Sequence, residues 1–395
     1  MRDLPNMAAA HRERIIELRR RIHRTPELGL ETPRTCELVR SELEAIGVDA
    51  ITTGLGCTWV TADIHGHAAS DGAPGVKPAV VALRADTDAL PLTEATGLEF
   101  ASEVDGCMHA CGHDGHTAML VGAAAVLVDA RDRFVGTVRL MFQPGEEGFG
   151  GAAIMIAEGA LDDVDAAFAI HLQPSARAHT VLYRTGTMLA AFDDFTATFR
   201  GDGGHASTPH AARDPIPAIG PFVDGLSHVA ARETDPHDRV VYSVSHVVAG
   251  TKENVIPATA LCSGTIRSLS VSGRARALER LRRVARGVAE SRGLEVDLDV
   301  RPGYPPTIND VDAVGEVLVA AEGLGLDRRE MAGPFMGAED FSYVLEKVPG
   351  AMVFLGCATA GTGPLHSDRM MIDEAVLPTG AALYAAVALR MLGRA

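Results

Sequence analysis

The chain has 395 residues, 47% of them hydrophobic and 22% charged, with a formal net charge of −16. That length exceeds what one core usually holds, so two domains are expected, with apolar residues enough to fill both. The acidic balance argues against nucleic acid and against an anionic membrane surface as partners.

The N-terminal segment lacks the apolar centre of a signal peptide, and no apolar run reads as a membrane span. The six cysteines show no disulfide spacing. A cytoplasmic protein is the expectation. Along the chain, helical patterns cover 11–24 and 32–47, the second with Pro33 in its first turn. A buried-type strand over 79–84 ends at Asp86, and a helix of small residues covers 117–130. A strand over 137–142 leads to Glu146 and Glu147, a short helix follows at 150–158, and a strand over 166–170 ends at His171. A further strand at 351–356 precedes His366 in a glycine-rich loop. This alternation predicts an α/β fold with a mixed, mostly parallel sheet between helix layers. It places Asp86, Glu146, Glu147 and His171 just past strand ends, and Cys111 and His113 just ahead of a helix, at the edge where such sheets build sites.

Between about 187 and 300 the rhythm changes. Strand 194–200, helix 215–233, strands 240–248 and 258–269, an Arg-rich helix 273–291 and strand 294–300 follow in order. This is the β-α-β-β-α-β order of a ferredoxin-like unit. The expected organisation is a catalytic domain from 1–186 and 301–395, interrupted by a satellite domain at 187–300.

The densest chemistry lies in Met108-His109-Ala110-Cys111-Gly112-His113-Asp114-Gly115-His116. A lone Cys is usually a small hydrophobe and a lone His a satisfied polar residue. The Cys-x-His pair in a Gly-flanked loop, with Glu146-Glu147, His171 and His366, is instead a ligand set for a zinc-like ion. Cys111, His113, Glu147, His171 and His366 make five ligands, which fits two divalent ions with one ligand bridging, and a thiolate can bridge. An adjacent carboxylate pair suits a division of labour in which one binds metal and its neighbour activates water. Asp86 and Asp114 are placed to fix His tautomers, and His109 and His116 are further outer partners or structural residues, with a ligand role for either as the alternative. In the satellite, His205 follows two glycines. Asn254 and Arg267 flank a hairpin, where a guanidinium suits a free carboxylate, although it could equally pair with a surface acid. A rival chemistry is a thiol hydrolase with Cys111 as nucleophile, which leaves Glu146, Glu147 and His366 without a role.

Taken in order, several motifs resemble the amidohydrolase subfamily D of the M20 metallopeptidases. They are Pro26-Glu27-Leu28-Gly29, Arg84-Ala85-Asp86-Thr87-Asp88, Met108 to His116, Gly145-Glu146-Glu147-Gly148, His171-Leu172-Gln173-Pro174, Gly203-Gly204-His205, Asn254-Val255-Ile256-Pro257, Gly264-Thr265-Ile266-Arg267, Gly337-Ala338-Glu339-Asp340-Phe341 and Leu365-His366-Ser367. The resemblance covers nearly the whole chain. It implies a zinc-peptidase-like domain carrying a lid and dimerisation domain, and a homodimer or higher homo-oligomer. It implies Cys111 as the bridging ligand, Glu146 as general base, and His205 as a stabiliser of the oxyanion, reaching across from a second subunit or acting within one. The implied reaction is hydrolysis of a small-molecule N-acyl amino acid, with a dipeptidase or carboxypeptidase and an inactive relative as alternatives. Zinc is the expected ion, with manganese and cobalt as substitutes.

Overall fold

A computed structural model of the chain describes residues 2–68 and 79–393; residues 1, 69–78 and 394–395, which belong to the expected catalytic domain, lie outside these. The chain forms two compact units. The first runs up to Met188 and resumes over Ile308–Gly333 and from Asp340 onward, and the second is Leu189–Thr307 with Pro334–Glu339.

The first unit is built on an eight-stranded sheet. Its order is Ala50–Thr53, Val60–His65, Thr137–Gln143, Val80–Asp86, Ala166–Gln173, Gly350–Gly356, Thr180–Tyr183 and Asp327–Glu330. The run from Thr137–Gln143 to Gly350–Gly356 is parallel throughout, and Val60–His65 joins it antiparallel. Val80–Asp86, Ala166–Gln173 and Gly350–Gly356 are buried along their whole length, which is why they read as unbroken apolar runs. The strands Val80–Asp86 and Ala166–Gln173 pair only from Val81–Ala166 to Arg84–Ala169. Beyond that register the Tyr384 hydroxyl, from the helix Leu377–Leu392, sits between them. It donates to the Arg84 carbonyl at 2.7 Å and accepts from the Ile170 amide at 2.9 Å. Both strand ends are thereby held, with Asp86 and His171 on them.

Three expectations change. The helix expected at 117 begins at His113, because Gly112 in a left-handed turn (φ +93°) ends the loop and the polar residues of the first turn are buried with partners. His171 lies inside its strand, which runs on to Gln173. The stretch Glu374–Leu392 is long and apolar enough to cross a membrane, contrary to the sequence reading, and 67% of its most apolar window is buried within the fold.

The second unit carries a four-stranded antiparallel sheet in the order Val240–Ala249, Thr259–Ser268, Ala191–Arg200, Glu295–Pro302. This is the strand order of the expected ferredoxin-like fold. The helices Ile219–His228 and Val271–Glu290 supply Phe222, Leu226, Ala277, Leu281 and Ala285 to a core with Phe195, Ala197, Phe199, Cys262 and Ile266. Alternate residues therefore face away from that core, among them Phe192, Asp194, Thr265 and Arg267.

Candidate metal centre

All five expected ligands lie in the first unit, and the fold brings them together. Cys111, His113 and His171 place one donor atom each within 4.8 Å of one another, and so do Cys111, Glu147 and His366. The thiol is common to both groups. Cys111 Sγ stands 3.4 Å from His171 Nε2, and His366 Nε2 stands 3.2 Å from Glu147 Oε1.

The imidazoles of His113 and His171 are each oriented by their other nitrogen. His113 Nδ1 donates to the Asp88 carbonyl at 2.8 Å, and His113 Nε2 is buried with no hydrogen-bond partner. His171 Nδ1 donates to the Leu172 carbonyl at 2.7 Å, turning Nε2 toward Cys111. Burial and the neighbouring His116 hold the His171 pKa well below its ordinary value, so it stays in the neutral form that ligates. His366 is set in a left-handed conformation (φ +64°), unusual for a side chain of this size, with its amide bonded to the Ala110 carbonyl at 2.8 Å. Hydrogen bonds that its ring donates to Cys111 and Glu147 raise its pKa to about 10. A buried thiol, a carboxylate and an unpartnered imidazole nitrogen converging at one point form a donor set that fits divalent ions.

Asp86, expected to fix a His tautomer, lies against His116. Its Oδ1 accepts from His116 Nδ1 at 2.6 Å, and Oδ2 lies 3.7 Å from His113 Nε2. Burial works against its charge, but His113, His116 and Arg84 outweigh that and keep it a carboxylate. Asp114 needs correction. It reaches no ligand ring; its Oδ2 accepts from Arg19 Nε at 2.6 Å and His23 Nδ1 at 2.7 Å, tying helix to helix in the interior. His109 is likewise buried, with neither ring nitrogen hydrogen-bonded among the described residues.

Sequence reasoning assigned no role to Asp88. Its carboxylate accepts the amides of Glu146 at 3.0 Å and Glu147 at 3.1 Å, while its carbonyl orients His113. The pair follows Gly145, whose φ of +73° suits glycine. Glu146 is 7% exposed, and its Oε2 lies 4.0 Å from His113 Nε2. Below the site, Arg84 bridges Asp86, Gln143 and Asp340 through bonds of 2.7, 2.9 and 2.8 Å. Asp88 stands in the Arg84-to-Asp88 motif without a role of its own, and nothing in the sequence marks Gln143 or Asp340 as neighbours of Arg84.

Residues 82–390 match the family described as Peptidase family M20/M25/M40. The chain belongs to that family. It is 39% identical to thermostable carboxypeptidase 1 of Saccharolobus solfataricus, over 95% of each chain. It is also 39% identical to an IAA-amino acid hydrolase (ILR1-like 2) of Arabidopsis thaliana, over 96% of this chain and 85% of that one. Among solved structures it resembles a dinuclear metal-binding peptidase of the M20 family from Bacillus subtilis, with a TM-score of 0.85, 34% identity, and coverage of 97% and 99% of the two chains. As an M20 member the chain is a hydrolase of amide C–N bonds, in keeping with the metal-dependent amidohydrolase expected from the motifs.

The remaining expected site residues lie in the second unit of this M20 fold. Gly204–His205 pairs with Val255–Ile256 in a two-stranded ribbon, and the Ala206 amide bonds the Asn254 carbonyl at 3.2 Å. His205 Nδ1 accepts from the Ser207 amide at 3.1 Å and lies 2.8 Å from its hydroxyl. An acceptor at Nδ1 puts the proton of the neutral ring on Nε2, which leaves a donor on an exposed side chain. Arg267 is half-buried, with its guanidinium 5.1 Å from the centre of the Phe192 ring. Burial lowers its pKa from the ordinary value and the Asp194 charge offsets this in part.

Proposed function

We propose that the chain is an N-acyl-amino-acid amidohydrolase working with two divalent ions, one held by Cys111, His113 and His171 and the other by Cys111, Glu147 and His366. The observation that carries this reading is the sharing of one buried thiol by two ligand groups. Zinc is the favoured ion, because a thiolate suits borderline-soft metals, with manganese or cobalt as substitutes. When bound, the ions would polarise the scissile carbonyl and acidify a water.

The protein's own residues supply the rest. Glu146, in neither thiol-sharing group, takes the proton from the attacking water and passes it to the leaving amine. His205 offers its Nε2–H to the developing oxyanion, from the same chain or from a second copy. Arg267, with Asn254, receives the free carboxylate of the amino acid. Asp86 keeps a negative charge beside His113 and holds His116 in place. A cytoplasmic location and a homo-oligomer formed through the second unit complete the proposal. The likeness to an IAA-amino acid hydrolase supports the N-acyl substrate, and the likeness to a carboxypeptidase supports a second reading, cleavage of a C-terminal residue by the same groups.

The test is turnover of N-acetyl, N-benzoyl and indole-acetyl amino acids beside short peptides, before and after chelation and with each ion added back. Loss on chelation and recovery with ions is expected. Activity that survives full chelation but is abolished by Cys111→Ser would replace this reading with a thiol nucleophile.

A further inference from the structure

Phe192 and Arg267 are direct cross-strand partners in the second unit's sheet, on the face turned away from its core. Opposed residues on antiparallel strands have their side chains side by side, and the guanidinium carbon stands 5.1 Å from the centre of the Phe192 ring. The ring is itself fixed. Tyr304 meets it edge-on, with centroids 5.0 Å apart and planes at 83°, and the Phe192 amide bonds the Tyr304 carbonyl at 3.1 Å. Between them Gly303 leaves room, since a Cβ there would come within 2.6 Å of two atoms of the Phe192 ring. Arg274 braces the same corner by bonding the Gly303 carbonyl at 3.0 Å and Asp193 at 2.7 and 2.9 Å.

Stacking occupies the face of a guanidinium and leaves its in-plane N–H groups free, which is the edge a carboxylate takes in a bidentate contact. Among the described residues no carboxylate forms an ion pair with Arg267, and Asp194 acts on it only through space. We propose that Phe192 is a positioning residue for substrate recognition. Its ring, seated on Tyr304 over the side-chain-free Gly303, presents the edge of Arg267 to the free carboxylate of the substrate. This rests on the reading of Arg267 as the carboxylate receptor, and it adds that aromatic residues with no polar contact of their own to the substrate set its KM.

The test is steady-state kinetics of the metal-loaded enzyme on an N-acetyl amino acid and on its carboxamide, with variants Arg267→Ala, Phe192→Leu, Phe192→Tyr and Tyr304→Leu. Phe192→Leu should raise KM for the acid about five- to tenfold with kcat little changed, because an ordered cation–π contact is lost while the chemistry is untouched. The carboxamide, which has no charge for the guanidinium, should be hydrolysed as by the wild type and so reports that the variant is folded. Phe192→Tyr should restore the wild-type KM, and Tyr304→Leu should give a smaller rise of the same kind. The proposal is overturned if Phe192→Leu harms acid and carboxamide alike, or if it leaves the acid unchanged while Arg267→Ala raises its KM. If Arg267→Ala itself spares the acid, it is the carboxylate reading of Arg267 that fails, and the role of Phe192 goes with it.

Discussion

The main-chain amide of Leu172 donates a 2.8 Å hydrogen bond to Nε2 of His116. That nitrogen must therefore offer a lone pair, and the ring's proton sits on Nδ1, bonded to Asp86 at 2.6 Å. Both nitrogens are used, so His116 has none left for a metal although it lies among the ligands, its ring centre 4.6 Å from that of His171. Its work is to hold Leu172, and with it His171, against Asp86.

His116→Asn should consequently keep two ions per chain and weaken their binding about ten- to a hundredfold, the usual effect of losing an outer partner. His113→Ala and His171→Ala should lower the number bound. Metal content after gel filtration against a buffered ion separates these outcomes. A His116→Asn protein with one ion fewer would show that the ring ligates.

Asp114 gives a contrasting expectation. Arg19 and Asp114 are 2% and 0% exposed at their side chains, and their ion pair is one of the most deeply buried in the chain. Removing one partner strands the other charge in the interior, so Asp114→Asn should cost about 3–5 kcal/mol of stability. Metal content of the folded fraction should change little, because Asp114 touches no ligand ring. Chemical denaturation read beside metal content decides it; loss of metal with unchanged stability would return Asp114 to the role expected from sequence.

That expectation shows where sequence reading stops. Strand-end residues and the clustering of the candidate ligands were legible because buried parallel strands are continuous apolar runs, and because Cys, His and Glu at turns are costly without a partner. The partners were not legible, since Arg19 lies 95 residues from Asp114 and Asp340 lies 256 from Arg84, and nothing local encodes such pairings. The helix start at His113 was missed for a related reason. Its first turn is polar, so the apolar pattern begins only at Thr117, yet His113, Asp114 and His116 are all buried. Edge strands such as Ala50–Thr53 and Asp327–Glu330, short and mostly exposed, carry too little periodicity to be seen.

Acid should weaken the same interior network through Glu94. Burial would raise this carboxyl, but hydrogen bonds from His23, Thr96 and the Ser102 amide outweigh it and bring the pKa from 4.5 to about 2. A carboxylate depressed in the folded state contributes stability above its unfolded pKa and loses it as pH falls through the folded one. Stability should therefore decline between about pH 4.5 and pH 2, with about 1–2 kcal/mol of the loss due to Glu94 once solvent screening is allowed for. Urea denaturation across that range should show a shallower decline for Glu94→Gln than for the wild type. Equal slopes would place the acid sensitivity elsewhere.

The division of labour between Glu146 and Glu147 is the most exacting test of the site. Both amides are fastened to one Asp88 carboxylate, at 3.0 and 3.1 Å, yet the two side chains part. Glu147 turns to His366 at 3.2 Å and joins the group containing Cys111, whereas Glu146 Oε2 stands 4.0 Å from His113 Nε2 and belongs to neither thiol-sharing group. Glu146→Gln should keep both ions and the fold while lowering kcat about a hundredfold or more, the ordinary loss when a general base is removed. Glu147→Gln should lose the ion shared with His366 and recover part of its activity when that ion is supplied in excess. Asp88→Ala releases both amides and removes the carboxylate that lies 3.5 Å from His113 Nδ1, and should weaken metal binding and turnover together. Metal content and kcat measured on the three variants side by side give three different patterns. Loss of metal in Glu146→Gln with retention in Glu147→Gln would exchange the two roles, and Asp88 would remain the residue that keeps them apart.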